Sequence, residues 1–212
     1  GTAHAMTLPA SIASRLKLPL IAAPMLRVSG PELVSAACRN GVIGALPTLN
    51  ARSSEELDDW LTRIAADCAA AQAPTAPVCA NVIMRRRPEA LDGDLAVLVK
   101  HKVEMVIASV GSPAPVIERL HDVGCLVFAD VASVRNTEKA LAAGADGLVL
   151  LSAGAGGHTG WANGMAFART VRAVYDGPLV RAGGSSGGAA VGAARVLGCG
   201  LGVAGTAFVA AA

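Results

Sequence analysis

Eight short apolar runs alternate with longer segments of helical character, and this alternation constrains the fold more than any other feature of the sequence. The runs lie at residues 18–25, 41–48, 78–84, 103–111, 125–133, 147–154, 178–184 and 201–208. They consist mostly of Val, Ile, Leu and Ala without strict alternation of polar and apolar residues, which is typical of parallel strands buried on both faces. The sequence therefore predicts a parallel sheet of eight strands.

The segments between the runs carry helix signals. Ser29-Gly30-Pro31-Glu32 is typical of a helix start, Ser53-Ser54-Glu55-Glu56 has the form of a capping box, and residues 135–143 lead to Gly144 as a C-terminal cap. Eight strand-helix units at regular spacing favour a closed (β/α)8 TIM barrel, and an open doubly wound sheet is the alternative.

The two ends of the chain lead to separate expectations. Residues 1–6 have neither the charged nor the apolar region of a signal peptide and are interpreted as a vector remnant. Only four residues follow the eighth run, so we expect a single domain over residues 7–212 that lacks the eighth helix.

Charge and composition argue against several classes of protein. The net charge is +2, and the densest basic cluster, Arg85 to Arg87, is interpreted as a solvated loop face, which argues against a nucleic-acid surface. No apolar stretch approaches the roughly 18 residues of a membrane span. The five cysteines include no CxxC pair, so we interpret them as small buried residues in a reducing cytosol and expect a cytoplasmic protein.

A glycine-rich stretch with one imidazole follows the sixth run. In Gly154-Ala155-Gly156-Gly157-His158-Thr159-Gly160 the backbone can approach a ligand closely, and His158 is the one functional group that would meet it. Active sites of (β/α)8 barrels lie at the C-terminal ends of the strands, where this stretch begins. We therefore predict that His158 is a loop residue of the active site.

Other strand ends would reach the same rim. The candidates are Ala23, Pro24 and Met25 after the first strand, Asn81 in the third, Asp130 in the fifth, Gly183 and Gly184 after the seventh, and Gly205 and Thr206 at the eighth. The glycine-rich stretch after the seventh strand precedes a helical segment, an arrangement that presents backbone N–H groups to a phosphate. A phosphorylated cofactor across the barrel mouth is thus predicted.

Four motifs in this order resemble the nitronate monooxygenase family, formerly called 2-nitropropane dioxygenases, which are FMN-dependent barrels. They are APM at residues 23–25, GAGGHTGWAN at 154–163, AGGSSGGAAVGAARVLGCG at 182–200 and GTAF at 205–208. The resemblance implies that His158 is the general base that takes the α-proton of a nitroalkane. It further implies an FMN phosphate loop of Gly183, Gly184, Gly205 and Thr206, flavin contacts from Ala23, Pro24, Met25 and Asn81, and further cofactor contacts from Asp130, Gly156 and Gly157.

The implied reaction is the FMN-dependent oxidation of an alkyl nitronate by dioxygen to a carbonyl compound and nitrite. The family continues beyond the GTAF motif into a further helical segment, which this sequence lacks. Arg181, in the seventh run, either reaches the cofactor or extends outward. The partners implied are a small-molecule nitronate or nitroalkane and dioxygen, with no nucleic acid and no membrane, and a homo-oligomer is left open.

Two other functions stay open on the residues alone. One is an NAD(P)H-dependent flavin reductase of the enoyl-carrier-protein or quinone reductase type, which uses the same barrel and the same GGHxG loop. The other is a non-catalytic barrel that binds flavin or phosphate. A reductase would accept electrons from NADH, whereas the leading function needs no pyridine nucleotide.

Overall fold

A computed structural model of the chain describes residues 8–151, 158–182 and 200–204, and these contain a closed eight-stranded barrel. The strands are β1 (Leu20–Ala22), β2 (Ile43–Pro47), β3 (Val78–Ile83), β4 (Met105–Ser109), β5 (Leu126–Val131), β6 (Gly147–Leu151), β7 (Leu179–Ala182) and β8 (Leu201–Ala204). Each strand pairs in parallel with the next, and β1 also pairs with β8, so the sheet closes. Every strand lies within one predicted run. The (β/α)8 barrel is confirmed, and the open sheet is wrong.

Helices follow most of the strands. They are α1 (Ala10–Ala13), α2 (Pro31–Arg39), α3 (Ser54–Ala69), α4 (Pro88–Lys100), α5 (Ala114–His121), α6 (Val134–Ala142) and α7 (His158–Arg172), with a short 3-10 helix at Thr48–Asn50. None of the helices in the described ranges is long and apolar enough to cross a membrane. The expectation of a missing eighth helix concerns residues 205–212, which lie outside the described residues.

Local signals explain where several helices begin and end. Ser53 is the N-cap of α3, and its hydroxyl accepts a hydrogen bond of 3.2 Å from the backbone N–H of Glu56, as the capping-box pattern predicts. Pro31 is the first residue of α2, where a missing N–H costs no hydrogen bond. Gly144 follows α6 with a φ of +98°, a conformation that glycine adopts without strain.

Apolar side chains fill the barrel interior toward the N-terminal ends of the strands. The interior cluster consists of Ile12, Ile21, Ile43, Ala45, Cys79, Met105, Ile107, Phe128, Val149, Val180 and Leu201. Ile12 belongs to α1, which precedes β1, so this short helix closes the N-terminal end of the barrel. The interior is therefore a packed core at that end, and only the opposite end is available to a ligand.

The outer faces of the strands pack against the helices. Leu46, Ala80, Val106 and Val127 contact residues of the neighbouring helices in one large cluster, and Leu148, Leu150 and Leu179 pack with α6 and α7 in another. This alternation of inner and outer residues fixes which side chains of each strand can face the barrel mouth.

The predicted solvated loop face at Arg85 to Arg87 is wrong for its central residue. Arg86 forms an ion pair with Asp94 on α4, and the side chain of Asp94 is only 5% exposed. Ser54 also donates to Asp94, at 3.3 Å. A buried carboxylate needs such partners, because an unpaired charge in a protein interior is costly. Arg86 therefore holds the segment after β3 against α4.

Candidate active site

Three neighbouring strands place a connected set of polar side chains at their carboxyl ends. The set consists of Asn81 on β3, Ser109 on β4 and Asp130 on β5. The residue two positions before each of them belongs to the apolar interior cluster, so all three side chains lie on the inner face of the barrel. We call these three residues the polar layer. It lies directly above the apolar core, at the mouth.

Hydrogen bonds connect the polar layer from strand to strand. The Asn81 side-chain amide donates to Ser109 Oγ at 2.8 Å and to the Ile107 carbonyl at 3.2 Å. Ser109 Oγ in turn donates to Asp130 Oδ2 at 2.5 Å. Since both amide hydrogens of Asn81 are used in this way, its Oδ1 atom is the part of this side chain that can still accept a hydrogen bond.

Burial dominates the electrostatics of Asp130. Desolvation raises the pKa of the Asp130 carboxyl above its ordinary value, and the hydrogen bond from Ser109 opposes that rise. Loss of water penalises the charged form of an acid, whereas a donor to the carboxylate stabilises it. Asp130 is thus a carboxyl group that holds its proton to higher pH than a surface aspartate does.

The segment after β1 is fixed by side chains of its own loop and of the next loop. Ser29 Oγ accepts from the Met25 N–H at 2.9 Å and lies 3.4 Å from the Ala23 carbonyl oxygen, to which it donates. The Asn50 amide donates to the Met25 carbonyl at 2.9 Å. Ala23, Pro24 and Met25 are half-buried at the rim. Their position beside the mouth agrees with the order of strand ends that the sequence predicts.

Val110 carries backbone strain next to the polar layer. Its φ is +57°, in the left-handed region that β-branched residues avoid, and the following Gly111 has a φ of +147°. Val110 is also 54% exposed, so burial of its side chain does not compensate for this conformation. Strained residues cluster at functional sites. Nothing in the residue types of this segment identifies Val110 in advance.

A cavity of about 340 Å³ opens beside Asp130 at the ends of β4 and β5. Its lining includes Ser112, Asn136 and two cations, Arg85 and Lys139. Sequence reasoning missed Lys139, because α6 brings it to the rim only through packing against β5. The cavity therefore combines two cations with the Asp130 carboxyl in its lining.

His158 is the first residue of α7. It therefore begins a helix, whereas the sequence predicts a position inside the loop. The glycines before it, Gly156 and Gly157, lie outside the described residues, as do Gly183, Gly184, Gly205 and Thr206. All of these positions follow β6, β7 or β8, and the carboxyl ends of those strands belong to the same mouth as the polar layer. The roles of these seven residues stay predictions.

Arg181 does not reach into the barrel. Val180 belongs to the interior cluster, so the neighbouring Arg181 lies on the outer face of β7, where it is 1% exposed. The predicted outward extension into solvent is wrong, because the side chain is buried there. Contact of Arg181 with a cofactor stays a prediction.

The chemistry of the mouth suits the flavin that the motifs imply. A flavin ring has apolar faces and a polar edge. The mouth offers the half-buried Ala23 to Met25 segment and a 37% exposed Leu151 at the end of β6, beside the acceptor and donor atoms of the polar layer. Across the described residues, no group of three or more His, Cys, Asp or Glu side chains could hold a metal ion.

Solved structures share this fold. Nitroalkane oxidase from Streptomyces ansochromogenes superposes with a TM-score of 0.79 at 23% identity, covering 94% of this chain and 68% of its own. FabK from Thermotoga maritima gives 0.79 at 25% identity, covering 96% of this chain and 63% of its own. The enoyl reductase domain of MlnA from Bacillus amyloliquefaciens gives 0.65 at 15% identity, covering 96% and 57%. The chain thus spans about two thirds or less of these proteins.

Sequence comparison identifies the family. No curated protein sequence matches the chain. A family model described as nitronate monooxygenase matches residues 52–212, which include every strand from β3 to β8 and therefore most of the mouth described above. The chain belongs to the nitronate monooxygenase family of flavin-dependent oxidoreductases.

Proposed function

We propose that this protein oxidises alkyl nitronates, and nitroalkanes after loss of their α-proton, to a carbonyl compound and nitrite, with FMN as its cofactor and dioxygen as electron acceptor. The observation that carries the proposal is that the family match spans the strands whose carboxyl ends form the mouth with its polar layer. The Streptomyces nitroalkane oxidase has the same fold, which is compatible with this reaction.

In this proposal residues 7–212 form one FMN-binding domain. Gly183, Gly184, Gly205 and Thr206 hold the phosphate, because glycine-rich turns after strands seven and eight of such a barrel present backbone N–H groups to an anion. Gly156 and Gly157 let the backbone approach the cofactor closely.

The segment after β1 and the polar layer would hold the flavin ring. Ala23, Pro24 and Met25 would contact the ring, and hydrogen bonds from Ser29 and Asn50 keep their backbone in place. Asn81 Oδ1 accepts a hydrogen bond from an N–H group at the ring edge, since both of its amide hydrogens are already used within the barrel. Asp130 would contact a polar group of the cofactor, while its Oδ2 atom accepts from the Ser109 hydroxyl.

His158 removes the α-proton of a neutral nitroalkane. A neutral imidazole, with an ordinary pKa of about 6.5, is a suitable base near physiological pH. Toward a substrate that is already a nitronate, the same side chain acts as a hydrogen-bond partner. Bound FMN supplies the electron transfer from the nitronate to dioxygen, and the protein orients the reactants and excludes water.

A second candidate is an NAD(P)H-dependent flavin reductase of the enoyl-carrier-protein or quinone reductase type. The enoyl reductase domain of MlnA has the same fold, which is compatible with this alternative. The two candidates share the cofactor and the barrel, so the electron donor distinguishes them. A non-catalytic flavin-binding barrel would accept electrons from neither donor.

The visible absorption spectrum of the purified protein is the first test. The protein, loaded with FMN if necessary, is mixed anaerobically with propionate 3-nitronate and, separately, with NADH. Bleaching by the nitronate alone supports the proposal, and bleaching by NADH alone supports the reductase. A protein that neither carries nor takes up FMN would contradict both.

Two variants then test the assigned residues. His158→Ala should lower turnover of a neutral nitroalkane by about 100-fold and leave FMN affinity nearly unchanged. The control is His121→Ala, because His121 pairs with Asp146 away from the mouth and should leave both quantities unchanged. Loss of FMN by the His158 variant, with full activity in the fraction that keeps it, would contradict the role as base. Gly184→Leu should weaken FMN binding, because its side chain would occupy the approach to the phosphate.

A further inference from the structure

The cavity of about 340 Å³ at the ends of β4 and β5 has polar side chains to which the proposed reaction gives no role. Its volume lies within the range of roughly 300–1,000 Å³ that is typical of small-molecule sites. Part of the lining is apolar and buried, and it consists of Pro113, Ala129 and Ala140. The rest consists of Arg85, Gly111, Ser112, Asp130, Asn136 and Lys139. Ligand sites commonly combine such an apolar surface with a few polar groups.

Two cations from different segments of the chain line this cavity. Arg85 follows β3, and Lys139 lies on α6. Among the residues that the structure describes, neither of them forms an ion pair, whereas the neighbouring Arg86 is paired with Asp94. Asp130 is the one acid in the described lining, so even an ionised Asp130 leaves a positive charge in excess. The cavity therefore attracts an anion.

Two neutral side chains add hydrogen-bond donors to the cations. Ser112 Oγ accepts from the Ala114 N–H at 3.2 Å, which leaves its own O–H hydrogen available. Asn136 donates its backbone N–H to Ser133 Oγ at 3.1 Å, and its side-chain amide forms no hydrogen bond within the described ranges. Asn136 and Lys139 are three positions apart on α6, so they lie on the same face of that helix. An anion in the cavity would thus receive donors from α6 and from the segment after β4.

Backbone contacts hold the segments that carry Arg85 and Ser112 side by side. The Met84 N–H donates to the Ser109 carbonyl at 2.8 Å, so Arg85 directly follows the pairing of β3 with β4. Gly111 packs closely against Met84, because a Cβ atom at Gly111 would lie 2.9 Å from the Met84 Cβ. The left-handed backbone of Val110 belongs to the same turn. This strained turn therefore brings Ser112 to the cavity that Arg85 lines.

We propose that Arg85, Ser112, Asn136 and Lys139 bind a phosphate monoester group of a substrate or co-substrate. The charge of a phosphate monoester near neutral pH approaches that of a dianion, which matches the two cations, and its three terminal oxygens can accept from several donors at once. The Arg85 guanidinium can donate two parallel hydrogen bonds to such a group, and the Lys139 ammonium acts as a compact charge. A carboxylate carries less charge and would match the two cations less well.

This site is separate from the one proposed for the FMN phosphate. The residues proposed to hold that phosphate follow β7 and β8, whereas the cavity lies at the ends of β4 and β5, on another side of the closed barrel. Asp130 belongs both to the polar layer and to the cavity lining, so the cavity adjoins the mouth. A ligand that reacts in the mouth can therefore place its phosphate in the cavity. The inference goes beyond the proposed function, because it does not require the substrate to be a nitronate.

NMR titration of the full chain with ethyl phosphate, in the presence of saturating FMN, tests the site. The backbone amides of Ser112, Asn136 and Lys139 should shift together. Arg85→Gln and Lys139→Gln should each weaken the binding of ethyl phosphate by about tenfold or more, because each removes a charged donor. The matched controls are Arg87→Gln and Arg135→Gln, since these exposed residues are close to Arg85 and Lys139 in the chain but do not line the cavity. Both controls should bind ethyl phosphate as the wild type does.

A second ligand distinguishes two sources of the phosphate. Adenosine 2′-monophosphate that binds at least about tenfold more tightly than ethyl phosphate would indicate the 2′-phosphate of a pyridine nucleotide, and equal affinities would indicate a phosphorylated organic substrate. Neither comparison needs turnover, so a failure of the proposed nitronate oxidation leaves the test intact. Equal affinities of Lys139→Gln and Arg135→Gln for both ligands would overturn the proposal. Binding that disappears when FMN is added would overturn it as well, because the ligand would then occupy the FMN phosphate site.

Discussion

Ser109 donates a 2.5 Å hydrogen bond to the buried carboxyl of Asp130, and the two residues come from neighbouring strands that meet only in the closed barrel. Asp130 lies at the carboxyl end of β5, above the apolar core. The hydroxyl opposes the effect of burial, so the Ser109–Asp130 contact decides how far the pKa of the carboxyl rises.

Replacing Ser109 by Ala should raise the pKa of Asp130 further, because the donor that lowers it is removed. The variant should also lose about 2 kcal/mol of stability near neutral pH, since a hydrogen bond to a charged group is lost. Carbon-detected NMR titration of the Asp130 carboxyl measures the first effect, and urea denaturation measures the second.

Ser35→Ala is the matched control. Ser35 is buried on α2, and its hydroxyl has no hydrogen-bond partner within the described ranges. Its removal should leave stability unchanged or slightly higher and should not shift the Asp130 titration. A loss of stability as large as that of Ser109→Ala would mean that the hydrogen bond to Asp130 contributes nothing specific.

Asp130→Asn should be more stable than the wild type near neutral pH. Burial raises the folded-state pKa of Asp130 above its unfolded value, so the stabilising contribution of this group is fully present below the unfolded pKa and is lost as the pH rises through the folded pKa. Asparagine stays neutral and can still accept from Ser109. The advantage of the variant should therefore shrink toward about pH 4, and urea denaturation across that range checks it. An advantage that is independent of pH would contradict the assigned cause.

The Arg86–Asp94 ion pair gives a prediction for the region behind the mouth. Asp94→Ala should lower the free energy of unfolding by about 3 kcal/mol, because the largely buried Arg86 guanidinium is left without its carboxylate. Asp92→Ala on the same helix removes an exposed partner of Arg119 and should lose no more than about 0.5 kcal/mol. Thermal or urea denaturation of both variants gives the comparison.

The double variant Arg86→Met, Asp94→Leu separates charge from packing. Replacing a buried ion pair with apolar side chains is often close to neutral, so the double variant should be more stable than Asp94→Ala. If the double variant loses as much stability, the cost comes from packing and not from the unpaired charge.

The sequence was sufficient to predict the barrel and part of the site, for identifiable reasons. All eight strands lie inside runs of apolar residues, because strands buried on both faces have no polar face to interrupt them. The runs extend beyond most strands, as in residues 103–111 against Met105–Ser109, since hydropathy does not show where pairing ends. Asn81 and Asp130 could be identified because they are polar residues within apolar strands.

The remaining features depend on contacts between segments that are distant in the chain. Ser109 becomes important only through its neighbours on β3 and β5, and Lys139 reaches the rim only because α6 packs against β5. The left-handed backbone of Val110 is imposed by the turn that follows β4. The sequence around Arg86 predicts a solvated side chain, because only the packing of α4 places Asp94 beside it.

The barrel core has no space for a side chain at Gly147. It begins β6 on the inner face, where a Cβ atom would lie 2.8 Å from Cζ of Phe128 and closer still to two other ring atoms. Phe128 is fully buried and cannot move aside within a packed interior. Gly147→Ala should therefore lower the free energy of unfolding by about 2 kcal/mol or more, and urea denaturation measures this loss.

Gly200→Ala is the control for this prediction. Gly200 is exposed just before β8, and no atom of the described residues lies within 4 Å of the position that its Cβ would occupy. The free energy of unfolding of the Gly200→Ala variant should stay within about 0.5 kcal/mol of the wild-type value. A Gly147→Ala variant as stable as Gly200→Ala would require that Phe128 can leave the interior of the barrel. Cys79, Met105 and Ile107 would then have to fill the space that its ring occupies.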